Sequence, residues 1–255
     1  MAKIHKLYSK EIYNNLNYRT TWLPGAPIDL GSVGLIEDGV FRPITTLKNL
    51  GIPFDKIIDK DKDSIDYSSS SGVSITFKAA GETNSKFKAL TDASAGALIE
   101  FSRSGAIVLQ LRGVANHRIA DQPKLYKELL RSVVIGDEDK WQRDWVVITE
   151  VVQTDQATII ISDSSNSKLE LKASGSVAPM SLVDVSGNLS VAGESQVSTK
   201  LIANSGLTPL YRGVRVKKKF LWLFDEVQPA SSNTPEADEV FDDAVPEEDD
   251  AFANG

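Results

Sequence analysis

The 255-residue chain contains no cysteine. That absence excludes a disulfide scaffold, a thiolate metal site and a cysteine nucleophile together. Histidine is nearly missing as well: His5 and His117 are the only two, too few for a multi-histidine metal centre. No apolar run approaches the roughly 20 residues of a membrane-crossing helix. The start, MAKIHKLYSKEIYNN, has no apolar stretch of the secretory kind. The expectation is a soluble, cytoplasmic protein. Catalytic motifs are lacking too. No G-x-S-x-G occurs that would supply a nucleophile for His117. Ser165-Asn-Ser-Lys168 matches S-x-x-K without its companion motifs, and Gly31-Ser-Val-Gly34 lacks the third glycine and following helix of a nucleotide loop. Asp59, Asp61, Asp63 and Asp66 are spaced like the opening of a calcium loop. The places that need glycine and a bidentate glutamate hold Ser64 and Ser70, and Lys60 and Lys62 offset the carboxylates. The chain therefore reads as no enzyme, with no metal and no cofactor.

What is present is an uneven charge. Glu236, Asp238, Glu239, Asp242, Asp243, Glu247, Glu248, Asp249 and Asp250 make nine acids and no base after Ser231. The net charge of -7 thus belongs to the tail, leaving 28 bases against 26 acids before it, a body of +2. Pro229, Pro235 and Pro246 oppose regular structure there, and the few apolar residues cannot offset the entropy of ordering. The organisation expected is one domain over 1–228 and a disordered acidic tail over 229–255.

In the body, Ile4, Leu7, Tyr8, Ile12 and Leu16 form one helical stripe, with Lys3, Lys6 and Lys10 mostly off it. Trp22-Leu-Pro-Gly-Ala-Pro27 ends any helix, and residues 28–58 read as short strands and turns. Residues 59–72 read as a polar loop. Strict alternation at 73–78, 107–112 and 168–172 predicts strands. Leu125, Leu129, Leu130 and Val133, with Pro123 at the start, predict a helix over 122–135. Trp145–Val152 and Ala157–Ser162 are β-branched runs read as a hairpin joined by Gln153-Thr-Asp-Gln156. Residues 174–195 read as a loop with one short strand, and Val197–Ile202 and Tyr211–Phe224 as further strands. The fold class is α+β: a twisted, mainly antiparallel sheet with an N-terminal helix and at least one more. Its expected core includes Ile107, Leu109, Val147, Ile160, Leu169 and Leu201.

The most suggestive cluster is basic. Arg212, Arg215, Lys217, Lys218 and Lys219 precede Phe220-Leu-Trp-Leu-Phe224 on one expected strand. Such cations beside aromatics suit phosphates of lipid or nucleic acid; equally, lysines guard edge strands against aggregation. The acidic tail, close in sequence, could cover them.

Trp145-Val-Val-Ile-Thr-Glu-Val-Val-Gln-Thr154 resembles a segment of gasdermin pore-forming domains. Gly187-Asn-Leu-Ser-Val191, Val197-Ser-Thr-Lys-Leu-Ile-Ala-Asn-Ser-Gly206 and Leu210-Tyr-Arg-Gly-Val214 are similar to the family's following strands, mainly over residues 145–224. The resemblance implies an α/β domain that assembles on membranes, with amphipathic regions at about 73–112 and 145–172 extending into a β-barrel. It places Lys3, Lys6 and Lys10 on a lipid-facing first helix and makes the C-terminal segment an inhibitor removed by a protease. Its implied partners are an anionic membrane, an activating protease and further copies of the chain. An N-terminal cysteine of the bacterial members is absent here, and Val240, Phe241, Val245 and Phe252 are few apolar anchors for an inhibitory segment. Two other readings stand beside it: an acidic-tailed single-stranded nucleic-acid-binding protein, and a self-assembling scaffold.

Overall fold

The computed structural model describes residues 4–24, 26–59, 63–77, 97–134, 141–142, 144–173, 189–195, 197–216 and 241–243. In chain order these form α1 (Ile4–Leu16), β1 (Arg19–Thr20), β2 (Ser32–Glu37), β3 (Val40–Thr46), β4 (Lys56–Ile58), β5 (Asp63–Ser68), β6 (Val73–Phe77) and β7 (Ala97–Phe101). β8 (Ile107–Ile119), α2 (Gln122–Val134), β9 (Val146–Ser162), β10 (Lys168–Ala173), β11 (Leu189–Ser195), β12 (Val197–Val216) and β13 (Phe241–Asp243) follow. The strands build two sheets. The nine-stranded main sheet runs β1-β12-β9-β2-β3; β8 also lies on β9 and carries β4 and β5, while β13 lies on β12. The four-stranded small sheet runs β11-β10-β7-β6. This is the expected α+β fold, with a twisted antiparallel sheet, an N-terminal helix and a second helix.

The helical stripe explains α1. Tyr8 and Ile12 are fully buried against Ile107, Leu109 and Leu111 of β8 and Ala157, Ile159 and Ile161 of β9. Each such side chain contributes roughly 1.5–3 kcal/mol by leaving water. Asn17, with φ +55°, ends the helix in the left-handed conformation that asparagine tolerates. Asp121 caps the start of α2, its carboxylate accepting from the Lys124 amide at 2.9 Å. It buries Leu125 and Leu129 with Trp141, Trp145, Val147 and Val214. Ile107, Leu109, Val147, Ile160 and Leu169 are core residues as expected; the Leu201 side chain lies outside what the structure describes.

Three expectations are corrected. The Trp145–Ser162 hairpin is one continuous strand, β9. Its polar middle is held on both sides, with Gln153 opposite Ala115 and Gln156 opposite Arg112 on β8, and Thr154 and Gln156 opposite Leu207 and Asn204 on β12. Thr154 donates to the Arg112 carbonyl at 2.7 Å. Opposite, Gly113 takes φ +62°, where a Cβ would stand 2.4 Å from the Asp155 carboxylate. The polar run keeps one register with β8 and lies opposite the extra residues of β12 between Asn204 and Leu210, and no turn forms. Likewise Val197–Val216 is one strand. Within the supposed polar loop, residues 63–68 form β5, because Ile65 and Tyr67 pack beside α1 and pair with Leu111 and Leu109. The expected disorder of 229–255 lies outside the described residues, apart from β13.

Three strands of the main sheet bend into the small one. β5 runs into β6 through residues 69–72, β7 into β8 through 102–106, and β9 into β10 through 163–167. Before the bend Ile107 faces Ile161, and beyond it Glu100 faces Lys168, so residues 101–106 stand opposite 162–167. The register is therefore the same on both sides. Ladder bonds survive within the bend, from Phe101 N to Ser167 O at 2.9 Å and from Ser162 N to Ala106 O at 3.0 Å. The small sheet packs Ile75, Ile99, Phe101 and Leu169 onto Val108 and Ile160. That is the face of the main sheet opposite α1.

Candidate functional site

Of the predicted basic residues, Lys3, Lys217, Lys218 and Lys219 lie outside the described residues. The others are held by the fold in two places. Lys6, on α1, pairs with Asp38 at 3.1 Å, in the turn between β2 and β3. Lys10 is half-buried on the same helix. Arg215 is half-buried on β12, opposite Val146 on one side and Asp242 of β13 on the other.

Arg212 is built into the end of α1. Its Nε donates to the Asn17 carbonyl at 3.0 Å, and its Nη1 meets Glu150 Oε2 at 3.2 Å. Its guanidinium lies over the Tyr18 ring at 4.2 Å, a cation–π arrangement, and Tyr18 Oη donates to Glu150 Oε1 at 2.8 Å. Arg212 thus satisfies an orphan carbonyl at the helix C-terminus while pairing with a carboxylate that is itself only 12% exposed. Burial first, then the Glu150 hydrogen bond, pushes the Tyr18 phenol up to about 12. Nearby on β8, His117 is held below its ordinary value, first by burial and then by Lys56.

The structure brings Arg212 and Arg215 onto β12, and puts Lys6 and Lys10 on α1, which packs on the β8–β9 face. Arg212 Nε serves the helix end and Nη1 pairs with Glu150, while the side chain stays 38% exposed. Asp66, from the acidic spacing, pairs with Arg112 at 2.6 Å, and no metal-holding group of acids and histidines occurs among the described residues.

Sequence reading passed over three residues. Glu150 carried a signal, being the lone carboxylate in a β-branched run. Gln110 and Thr158 face each other across β8 and β9. Both are fully buried, and neither amide atom of Gln110 nor the Thr158 hydroxyl has a hydrogen-bond partner. Their signal was a polar residue on the second face of each run, which any half-exposed strand also shows.

β13 bears on the acidic segment. Phe241, Asp242 and Asp243 pair antiparallel with Val216, Arg215 and Val214. They continue the β12 edge on which β1 pairs with Tyr211 and Leu210. No family model matches the chain, and no curated protein matches its sequence.

Proposed function

We propose that this chain is a latent membrane-permeabilising protein of the gasdermin-like kind, restrained by its acidic C-terminal segment and released by proteolysis. The observation that carries the reading is the common register on either side of the bend. Straightened without slippage, residues 97–112 and 156–171 make one antiparallel ribbon with its alternation in phase. One face then holds Ala97, Ile99, Phe101, Ile107, Leu109 and Leu111, with Ala157, Ile159, Ile161, Leu169 and Leu171 beside them. The other face is mixed: Glu100, Gln110, Arg112, Gln156, Thr158 and Lys168 stand on it with Leu98, Ala106, Val108 and Ile160. Arg103 and Asp163, of opposite charge, interrupt the apolar face at the bend itself.

A tilted membrane strand needs about 9–11 residues of this alternation. A ribbon alone leaves unpaired edges in lipid, so several copies must close a barrel. Gln110 and Thr158, unpaired in the bent form, gain water on the polar face. β13 supplies the restraint, because an acidic segment laid along Val214–Val216 occupies an edge of the basic strand. Removing the segment after Gln228 changes the net charge from -7 to +2. Each base near an anionic bilayer contributes roughly 1 kcal/mol.

The test uses full-length chain carrying a specific protease site after Gln228. Dye release from anionic vesicles is expected only after cleavage, together with oligomers on the membrane. Absence of leakage, combined with tail-inhibited and salt-sensitive binding of single-stranded DNA, would replace this reading with nucleic-acid binding.

A further inference from the structure

We propose that Glu11 of α1 is the catch that keeps the two sheets bent, so that lifting α1 releases the bend. The consequence for permeabilisation rests on the reading above; the catch itself does not. The Glu11 side chain is 16% exposed and sits where the strands turn. Its Oε1 accepts from the Tyr67 hydroxyl at 2.8 Å and from the Ser69 hydroxyl, and its Oε2 meets Arg103 Nη2 at 2.5 Å. Tyr67 and Ser69 lie at the end of β5 and the start of its bend, and Arg103 lies in the β7–β8 bend. One carboxylate thus grips both chains.

The grip passes into the ladder. Ser69 Oγ accepts from the Ile107 amide at 2.9 Å, at the first residue of β8. In the same bend, the Arg103 carbonyl accepts from Ser162 Oγ at 2.7 Å, while that hydroxyl accepts from the Ala106 amide at 2.9 Å. One turn earlier on α1, Leu7 lies on Gly105. Gly105 has φ +69°, and a Cβ there would stand 2.9 Å from Leu7 Cδ1. The helix therefore covers the residue whose backbone makes the corner and ties both of its flanks. Burial, then Glu11, pushes the Tyr67 phenol up, so it remains a donor at neutral pH.

The register already allows the straight form. Straightening must part Ile75, Ile99, Phe101 and Leu169 from Val108 and Ile160, and the side-chain bonds centred on α1 add to that packing. Hydrogen bonds to a charged acceptor are the stronger kind, so losing Glu11 should shift the bent–straight balance by roughly tenfold or more.

The chain has no cysteine, so labels can be placed without background. Spin labels on Thr76→Cys in β6 and Arg118→Cys in β8 report the distance between the sheets in full-length protein, without vesicles. A single short distance is expected for the parent. Glu11→Ala and Arg103→Ala should each add a longer one while unfolding remains cooperative. If Glu11→Ala fails to fold, Tyr67→Phe, which deletes a single bond to the carboxylate, is measured in its place. An unchanged distance distribution in a folded variant overturns the catch. Vesicle leakage separates the two ideas. A longer distance without leakage after cleavage keeps the catch and removes the membrane reading. Leakage after cleavage at equal rates in parent and Glu11→Ala, with distances unchanged, does the reverse.

Discussion

The two faces of the β8–β9 ladder are covered in different ways. Toward α1, Ile107, Leu109, Leu111, Ala157, Ile159 and Ile161 meet Tyr8 and Ile12, an apolar seam with no amide or side-chain hydroxyl on the strands. Toward the small sheet, Val108 and Ile160 meet Ile75, Ile99, Phe101 and Leu169, but the same face buries Gln110 and Thr158 without partners. The cover of the first face is mainly apolar, although it too buries one unpartnered group, the Tyr8 hydroxyl. The second mixes Val108 and Ile160 with Gln110 and Thr158, and the bent fold buries the polar pair at a cost of about 1–3 kcal/mol for each unmet polar group.

The largest effect expected from separating the faces comes from Leu109→Ala. It opens a hole under α1 and should cost roughly 2–5 kcal/mol, read as a lower urea midpoint. The neighbouring Gln110→Leu should move the other way. Removing an unsatisfied buried amide should raise stability by roughly 1–3 kcal/mol, seen as a higher midpoint at unchanged slope. It should also slow dye release after cleavage, since it places a leucine on the water-facing side of the ribbon. If both substitutions destabilised alike, the faces would be equivalent and the comparison would fail.

An effect confined to alkaline pH comes last. Burial pushes the Tyr8 phenol up, and Tyr18 at the end of α1 is pushed up to about 12. A phenol whose pKa is higher folded than unfolded gives stability that is complete below the ordinary value of about 10. That stability is lost as pH climbs from there toward about 12. The α1 face should loosen over this interval while neutral pH has no effect. Phenolate absorbance that lags the unfolded chain checks it, and Tyr8→Phe should remove part of the loss.

Much of the fold was legible. The stripe of Tyr8 and Ile12, the Pro123 start of α2 and the alternation at 73–77, 107–112 and 168–172 each report a local period that the structure keeps. Gln153-Thr-Asp-Gln156 misled because a polar interruption in a β run looks the same in a turn as in an unbroken strand. Only partners on both sides, Arg112–Ala115 and Asn204–Leu207, decide between them. Asp63–Ser68 was hidden for a similar reason, since its pairing comes from β8, far along the chain.

The candidate site divides the same way. Arg212, Arg215, Lys6 and Lys10 were visible as cations, because charge is a property of the residue alone. That Arg212 caps α1 and stacks on Tyr18, and that Lys6 meets Asp38, depends on which distant segments arrive beside them. Glu11 had no sequence signal at all, because its partners Tyr67, Ser69 and Arg103 come from two other stretches. The sequence by itself determined the periods, the basic body and the acidic end, since hydrophobic alternation and charge are local. The tertiary structure alone decided where the strands bend, which face is covered by what, and which carboxylate holds the corner, since each needs groups far apart in the chain to meet.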